Sequence, residues 1–168
     1  MLYMKILESF LLDNNKIFFG FAYSLLSDDL QAQQVVIDAI YVLNLKRAEL
    51  IEDLLTTPEK FKQVDILAQI NKFILTQIFT IGQKRIIHLK NSIALDGGFL
   101  AFYNMATAKR ALLFLKYKTQ LAFSEIAEIL GMNEFELMGL LSCAQKNLIE
   151  NLGYDTKHLF TTGELITL

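Results

Sequence analysis

The chain has 168 residues, which suits one domain of ordinary size or two small ones, and its 53% apolar content argues against disorder over most of its length. The net charge of −2 is unlike that of a typical free-standing DNA-binding domain, which is basic. No uncharged apolar run reaches the ~18 residues of a membrane span, the N-terminus lacks the order of a secretory signal, and a single cysteine excludes an internal disulfide, so we expect a cytoplasmic protein without membrane contact.

The first half of the chain has apolar residues at helical spacing. This spacing predicts short helices over residues 2–12 and 16–26, with a polar stretch between them. A third helix is predicted over residues 30–45, and Ser27 or Asp28 would cap its first turn.

The pentapeptide "TTPEK" is the next helix start signal. Thr57 would cap the helix and Pro58 would occupy its first helical position, where the missing N–H has no partner. We predict a long helix from about residue 65 to 85. Its segment 73–83 carries no charge, which indicates burial on more than one side.

The strongest turn signal is "LDGGF", and the stretch that leads to it is apolar, whereas a flexible tether would be polar. We therefore predict an N-terminal helical domain over residues 1–88, an apolar linker over 89–100, and a C-terminal helical domain with a short tail over 101–168. The linker should pack on the domains. Three side chains in and just before it are expected to be buried: Ile86, Ile87 and Leu89.

The second half is predicted to contain a helix over residues 103–117, followed by "FSEIAEILGMNEFELMGLLSCAQKNL" at 123–148. In that stretch one amphipathic helix leads to Gly131, a short turn and a second amphipathic helix. Asn133 and Glu136 have the spacing of a capping box at the second start. The arrangement is typical of a helix-turn-helix, and the alternative is an ordinary helical hairpin.

These residues resemble the two-domain bacterial sigma factors of the extracytoplasmic-function type. The similarity is strongest at "SEIAEILG", and "RALLFLKYKTQLAF" resembles the family's preceding helix. "FAYSLLSDDLQAQQVVIDAIYVL" resembles the family's first two helices, in which a "DLVQE"-like motif docks on core RNA polymerase. The motif here reads "QVVID". The resemblance implies an all-α fold of two small domains, the second with a helix-turn-helix, and it makes Gln34 and Asp38 docking candidates.

The predicted recognition helix keeps the family's apolar spacing and loses most of its charge. Met138, Gly139 and Leu140 stand where the family has Lys, Ser and Arg, and only Lys146 keeps a cation. Most of the remaining cations lie just before the helix-turn-helix, where they could contact DNA. The alternative interpretation is that they form a solvated surface. The DNA-contact candidates are Lys109, Arg110, Lys116, Lys118 and Lys146.

Apolar side chains at the DNA-facing positions favour a protein interface instead, since an apolar patch with an acidic rim is typical of one. The alternative is that this patch packs on the N-terminal domain or the linker of the same chain. The protein-interface candidates are Phe135, Met138, Leu140 and Cys143.

Residues for catalysis are scarce. His88 and His158 have no partner at metal-ligand spacing, and there is no phosphate-binding glycine loop. We therefore expect no enzyme, metal, cofactor or small-molecule substrate.

Three functions remain open. The first is a divergent sigma-like protein that docks on RNA polymerase or another transcription protein and contacts DNA weakly or only in that complex. The second is a promoter-reading sigma factor for transcription initiation. The third is a sigma-derived protein-interaction module without DNA binding.

Overall fold

A computed structural model of the protein describes the backbone of residues 2–89 and 97–152 and the side chains of residues 5–88 and 100–152. Within these residues there are eight α-helices and no strand, so the predicted all-α class is confirmed. The helices are α1 (Leu2–Leu26), α2 (Asp29–Lys46), α3 (Ala48–Thr56), α4 (Lys60–Leu89), α5 (Gly97–Tyr103), α6 (Thr107–Lys118), α7 (Phe123–Leu130) and α8 (Glu134–Asn151).

Helix α1 is a single helix of 25 residues, so the predicted division into two helices was wrong. Within the polar stretch that indicated a break, the Asn14 side chain bonds inside the helix, donating to the Phe10 carbonyl four residues earlier at 2.8 Å. The apolar residues on both sides stay in helical register. Phe10 and Phe18 therefore contact each other edge to face, with ring centroids 6.4 Å apart.

The region between α2 and α4 combines confirmed and missed predictions. Asp28 caps α2, accepting from the Gln31 N–H at 2.8 Å, as predicted. Helix α3 was not predicted, and Thr57 closes it by donating its N–H to Asp53, so its predicted role as the cap of the next helix was wrong. That next helix begins at Lys60, earlier than expected.

Helix α4 is the centre of the fold and packs against α1, α2, α3 and α7. Its buried residues lie on more than one side, as the uncharged segment predicted. By length and composition alone α4 would be sufficient to span a membrane, a test that buried helices of globular proteins also pass. Gly82 permits a close approach to α1, because a Cβ there would lie 2.8 Å from Leu25 Cδ1.

One apolar core extends through both halves of the described chain. Helix α1 contacts α6 closely at Gly20, where a Cβ would lie 3.1 Å from the Phe114 ring, and the rings of Phe21 and Phe114 are 5.6 Å apart. The C-terminal half contributes these fully or nearly fully buried residues to the shared core: Ala111, Leu112, Leu115, Ile126, Ala127, Ile129, Leu130 and Leu137.

The predicted linker lies largely outside the described residues, since positions 90–96 and the side chains of 89–99 are not described. Of the three side chains expected to be buried, Ile86 packs partly against the core, Leu89 is not described, and Ile87 is 67% exposed, which contradicts the prediction. The helix predicted over 103–117 is divided, because α5 ends at Tyr103 and α6 begins at Thr107.

Candidate functional site

The turn between α7 and α8 is defined by local backbone chemistry. Gly131 adopts φ 67°, in the left-handed region that favours glycine, and Met132 N–H donates to the Ala127 carbonyl at 2.9 Å to close α7. Asn133 Oδ1 accepts from the Glu136 N–H at 2.8 Å, and Glu136 Oε2 accepts from the Asn133 N–H at 3.2 Å. The two predicted helices and their capping box are therefore present.

The α7–α8 pair is fixed to the N-terminal half by apolar contacts and one ion pair. Ile126 and Leu130 of α7 and Leu137 of α8 belong to the shared core. At the edge of that contact, Lys72 Nζ of α4 lies 2.5 Å from Glu128 Oε2 of α7. The buried sides of both helices thus face the protein, and α8 has its opposite side exposed.

The exposed side of α8 differs from the predicted patch. Phe135 is 87% exposed and Met138 is 61% exposed, and Cys143 is exposed too. Leu140 is half-buried and packs against the core, so its assignment to the exposed patch was wrong. The reason is geometric: at about 100° per residue, positions 138 and 140 point roughly 160° apart, whereas positions 135 and 138 differ by about 60°.

The glutamates around this turn stabilise the helices. Glu125 accepts the Ala122 N–H at 2.7 Å before α7, and Glu136 completes the capping box of α8. Glu134 and Glu136 also lie in the first turn of α8, at the positive end of its dipole. Their charges are therefore located where a DNA-reading helix would approach phosphates.

Arg110 is buried and must be removed from the surface cations predicted to contact DNA. It is 4% exposed, its guanidinium lies 5.1 Å from the centre of the Tyr103 ring, and it donates to Thr107 Oγ1 at 3.3 Å. Its Nε has no hydrogen-bond partner in the described part of the chain. Burial lowers the pKa of Arg110, and the neighbouring Tyr103 opposes that shift.

Three of the four remaining candidate cations contact their own surroundings. Lys109 Nζ donates to Asn147 Oδ1 at 2.7 Å, Lys116 Nζ lies 5.8 Å from the centre of the Phe123 ring, and Lys146 Nζ is 3.8 Å from Glu150 Oε1. Lys118 is exposed at the end of α6. The three cations with identified contacts have different neighbours and do not surround one common acceptor.

The docking candidates Gln34 and Asp38 lie on consecutive turns of α2 and are joined by a hydrogen bond of 2.8 Å. Arg85 of α4 donates to Asp38 Oδ2 at 2.5 Å and to Gln31 Oε1 at 2.8 Å. The Asp38 carboxylate is therefore paired within the chain, and it helps to hold α2 against α4.

An apolar surface beside Gln34 and Asp38 was missed from the sequence. Four large side chains on the outer face of α2 are 58–76% exposed, and we call them the α2 stripe: Leu30, Ile37, Tyr41 and Leu45. Their spacing places all four within one arc of roughly 80° around the helix axis. The opposite face is buried, so α2 is apolar on both sides. The helical spacing of these four residues is visible in the sequence. The buried residues of α2 have helical spacing too, and the prediction from the sequence included only their face of the helix.

The α2 stripe adjoins a shallow groove between α1 and α2, about 500 Å³ in volume. Ile37 belongs to both. The groove has amide and apolar side chains and no charged group in its lining: Asn15, Phe19, Gln33, Val36, Ile37 and Ile40.

The chain matches no protein-family model, and comparisons with curated proteins and with solved structures found no match either. A functional assignment therefore rests on the residues and the surfaces described above. In the described part of the chain, no cluster of three or more His, Cys, Asp or Glu side chains is placed to hold a metal ion.

Proposed function

We propose that the chain is a divergent sigma-factor-like transcription protein. It would dock on RNA polymerase, or on another transcription protein, through α2. The α7–α8 pair would be the helix-turn-helix of a C-terminal domain over residues 101–168, and it would contact DNA weakly or only within that complex. The observation that carries the proposal is the α2 stripe, which lies beside Gln34 and Asp38 on the helix that resembles the family's docking helix.

The composition of the α2 face supports protein docking. Complete burial of a large apolar side chain contributes about 1.5–3 kcal/mol, so four such residues would supply much of the free energy of a specific interface. Asp38 adds a polar group at the margin of the α2 stripe, and Gln34 lies within its arc, so the surface combines apolar and polar groups as protein interfaces do. Tyr41 is a residue type that often dominates binding energy at such sites.

The α8 face supports a minor role for DNA. Affinity for duplex DNA comes largely from cations that neutralise phosphates. The first turn of α8 has two glutamates, its outward side has Phe135 and Met138, and Arg110 is buried. These features favour contact with protein over independent promoter reading.

The direct test is binding of the purified protein to core RNA polymerase from the same cell. The variant Ile37→Glu with Tyr41→Ser places a charge and a small polar group in the α2 stripe. Both side chains are mostly exposed, so the fold should be retained, as circular dichroism would verify. Phe61→Ser is the matched control, because Phe61 is 80% exposed but lies on α4.

We expect the double variant to bind polymerase at least about tenfold more weakly, as loss of about 1.4 kcal/mol implies, and the control to bind normally. A wild-type protein that binds no polymerase, but recovers through the α2 stripe a partner with no role in transcription, would instead be an interaction module outside transcription. A duplex DNA titration with a steep negative salt dependence would identify a promoter-reading sigma factor.

A further inference from the structure

We propose that the first turn of α6 binds a phosphate group, either as the free ion or as the phosphate of a small monoester. The α6 phosphate site, as we call it, consists of the Thr107 and Ala108 N–H groups, the Thr107 hydroxyl, and the side chains of Lys109 and Arg110. It uses no residue of the α2 stripe and does not depend on the proposed function.

Helix α6 begins without a side chain that accepts from its free N–H groups. The N–H groups of a first helical turn have no partner inside the helix, so they need an acceptor from a side chain, from solvent or from a ligand. Ala106 occupies the N-cap position and makes no side-chain hydrogen bond. The Thr107 and Ala108 N–H groups donate to no described residue. Ala106 is exposed, so an acceptor can reach this turn from solvent.

The charges of this first turn are unfavourable for a helix start. The partial positive charge at a helix N-terminus favours acidic residues there and disfavours cations. The first turn of α6 has no acidic residue, and Lys109 and Arg110 are the third and fourth residues of the helix. A bound anion would reverse this disadvantage, because it would attract both side chains and the helix dipole.

Arg110 indicates an anionic ligand independently of the helix start. Its side chain is buried, its Nε has no hydrogen-bond partner within the described chain, and it forms no ion pair with a described carboxylate. A buried cation without a counter-charge costs free energy, which the Tyr103 ring offsets only in part. Helical side chains point toward the N-terminus. Arg110 Nη2 donates to Thr107 Oγ1 at 3.3 Å, so the guanidinium is directed at the free N–H groups.

Phosphate fits these donors better than a carboxylate does. The α6 phosphate site has two cationic side chains, in addition to the partial charge of about +0.5 at a helix start. A phosphate monoester has a charge of about −1.5 to −2 near neutral pH and three free oxygens, whereas a carboxylate has a single charge and two oxygens. Lys109 Nζ is bonded to Asn147 Oδ1 at 2.7 Å, so Lys109 contributes mainly through its charge. Because Arg110 is buried, a single phosphate group is favoured over the backbone of a DNA duplex.

The test is a titration of the isotope-labelled full chain with inorganic phosphate, at constant ionic strength and followed by amide NMR spectra. The signals of Thr107 and Ala108 should shift and saturate, with a dissociation constant below about 1 mM. Methyl phosphate, the smallest phosphate monoester, is titrated in parallel, and the tighter of the two probes identifies the source of the phosphate group. Amide signals of Thr107 and Ala108 that neither probe shifts at about 20 mM would overturn the proposal.

Two substitutions at the helix start remove the free donors and should leave α6 intact. Ala106→Asp supplies a carboxylate from the N-cap. Thr107→Pro removes one N–H and the hydroxyl, and proline suits a first helical position that follows an extended residue, as Ala106 is at ψ 142°. Both variants should bind phosphate at least about tenfold more weakly. Wild-type affinity in both would overturn the proposal.

Ala122→Asp is the matched control for Ala106→Asp. Ala122 is the exposed N-cap of α7 and has a similar backbone conformation, with φ −64° and ψ 154°. This variant makes the same change in net charge and should bind phosphate as the wild type does. A loss of affinity equal to that of Ala106→Asp would mean that net charge alone governs binding, and it would overturn the proposal.

Arg110→Met tests the buried cation, because it removes the charge and keeps an unbranched apolar stem. We expect binding of phosphate to weaken at least about tenfold, with the fold verified by circular dichroism. A folded variant with wild-type affinity would overturn the proposal. If Arg110→Met does not fold, the two helix-start variants and their control decide the outcome.

Discussion

Lys72 and Glu128 are 56 residues apart in sequence, yet their ammonium and carboxylate groups lie 2.5 Å apart where α7 meets α4. Both side chains are more than one third exposed, so solvent screens the pair and its contribution to stability is small. The adjacent apolar side chains of α7 are fully buried in the shared core. Apolar burial therefore holds α7 on α4, and the ion pair marks the edge of that contact.

Substitution separates these two contributions. Glu128→Gln should lower the free energy of unfolding by less than about 1 kcal/mol, and Ile126→Ala should lower it by about 2–5 kcal/mol because it leaves a cavity in the core. Urea denaturation followed by circular dichroism would measure both. A loss above about 2 kcal/mol for Glu128→Gln would show that the ion pair has a larger role than its exposure implies.

Two glycines provide a matched test of backbone conformation. Gly131 has positive φ, so Gly131→Ala should destabilise the protein by about 1 kcal/mol through strain alone, since a Cβ there meets no atom within 4 Å. Gly139 lies within α8, also with no neighbour within 4 Å, and Gly139→Ala should stabilise by up to about 1 kcal/mol. Equal effects of the two substitutions, measured by thermal unfolding, would contradict this account.

Signals that act within four residues were predicted well from the sequence. The Asp28 cap, the glycine at the end of α7 and the Asn133–Glu136 box each involve groups on one or two neighbouring turns. Local signals also misled. The polar residues near Asn14 indicated a break, but the Asn14 side chain bonds to the preceding turn and α1 continues.

The surfaces were harder to predict because burial depends on segments far apart in sequence. Arg110 has the sequence context of a surface cation, but Tyr103 covers it, and Tyr103 is in turn bonded to the Tyr23 carbonyl 80 residues away. Leu140 aligned with a DNA-facing position but packs on the shared core. Helical spacing shows which side chains share one face of a helix. It does not show which distant segment will cover that face.

Tyr103 links α5 to α1, and its removal should have a pH-dependent effect. Its hydroxyl donates to the Tyr23 carbonyl at 2.9 Å, so Tyr103→Phe should cost about 1 kcal/mol at neutral pH. Burial raises the pKa of Tyr103, with a smaller contribution from Tyr23, while Arg110 lowers it.

The raised pKa of Tyr103 determines the direction in which the stability difference between wild type and Tyr103→Phe changes with pH. The folded protein holds the phenol proton more tightly than the unfolded chain, whose tyrosines titrate near pH 10, so the stability from this group is present below that pH and is lost as the pH rises above it. The advantage of wild type over Tyr103→Phe in urea denaturation should therefore shrink from pH 8 to 11. A constant difference across this range would show that the phenol is not protected in the fold.

The exposed face of α8 provides the last test, which concerns its preference for protein over DNA. Met138→Lys replaces an exposed apolar side chain with a cation on the face that a DNA-reading helix would present. It should increase affinity for duplex DNA and add about one phosphate to the salt dependence of binding. Leu140→Arg is unsuitable for this purpose, because Leu140 is half-buried in the core and its replacement should destabilise the fold.

Val64→Lys is the control for Met138→Lys. Val64 is 63% exposed on α4, so the substitution makes the same change in net charge on another surface. We expect Met138→Lys to raise DNA affinity severalfold more than Val64→Lys, since phosphates attract cations most at short range. Equal gains would mean that net charge alone governs binding and that α8 does not approach the duplex. Tight, steeply salt-dependent binding by the wild type would mean that several phosphates are already neutralised, and α8 would then be a DNA-reading helix despite its acidic first turn.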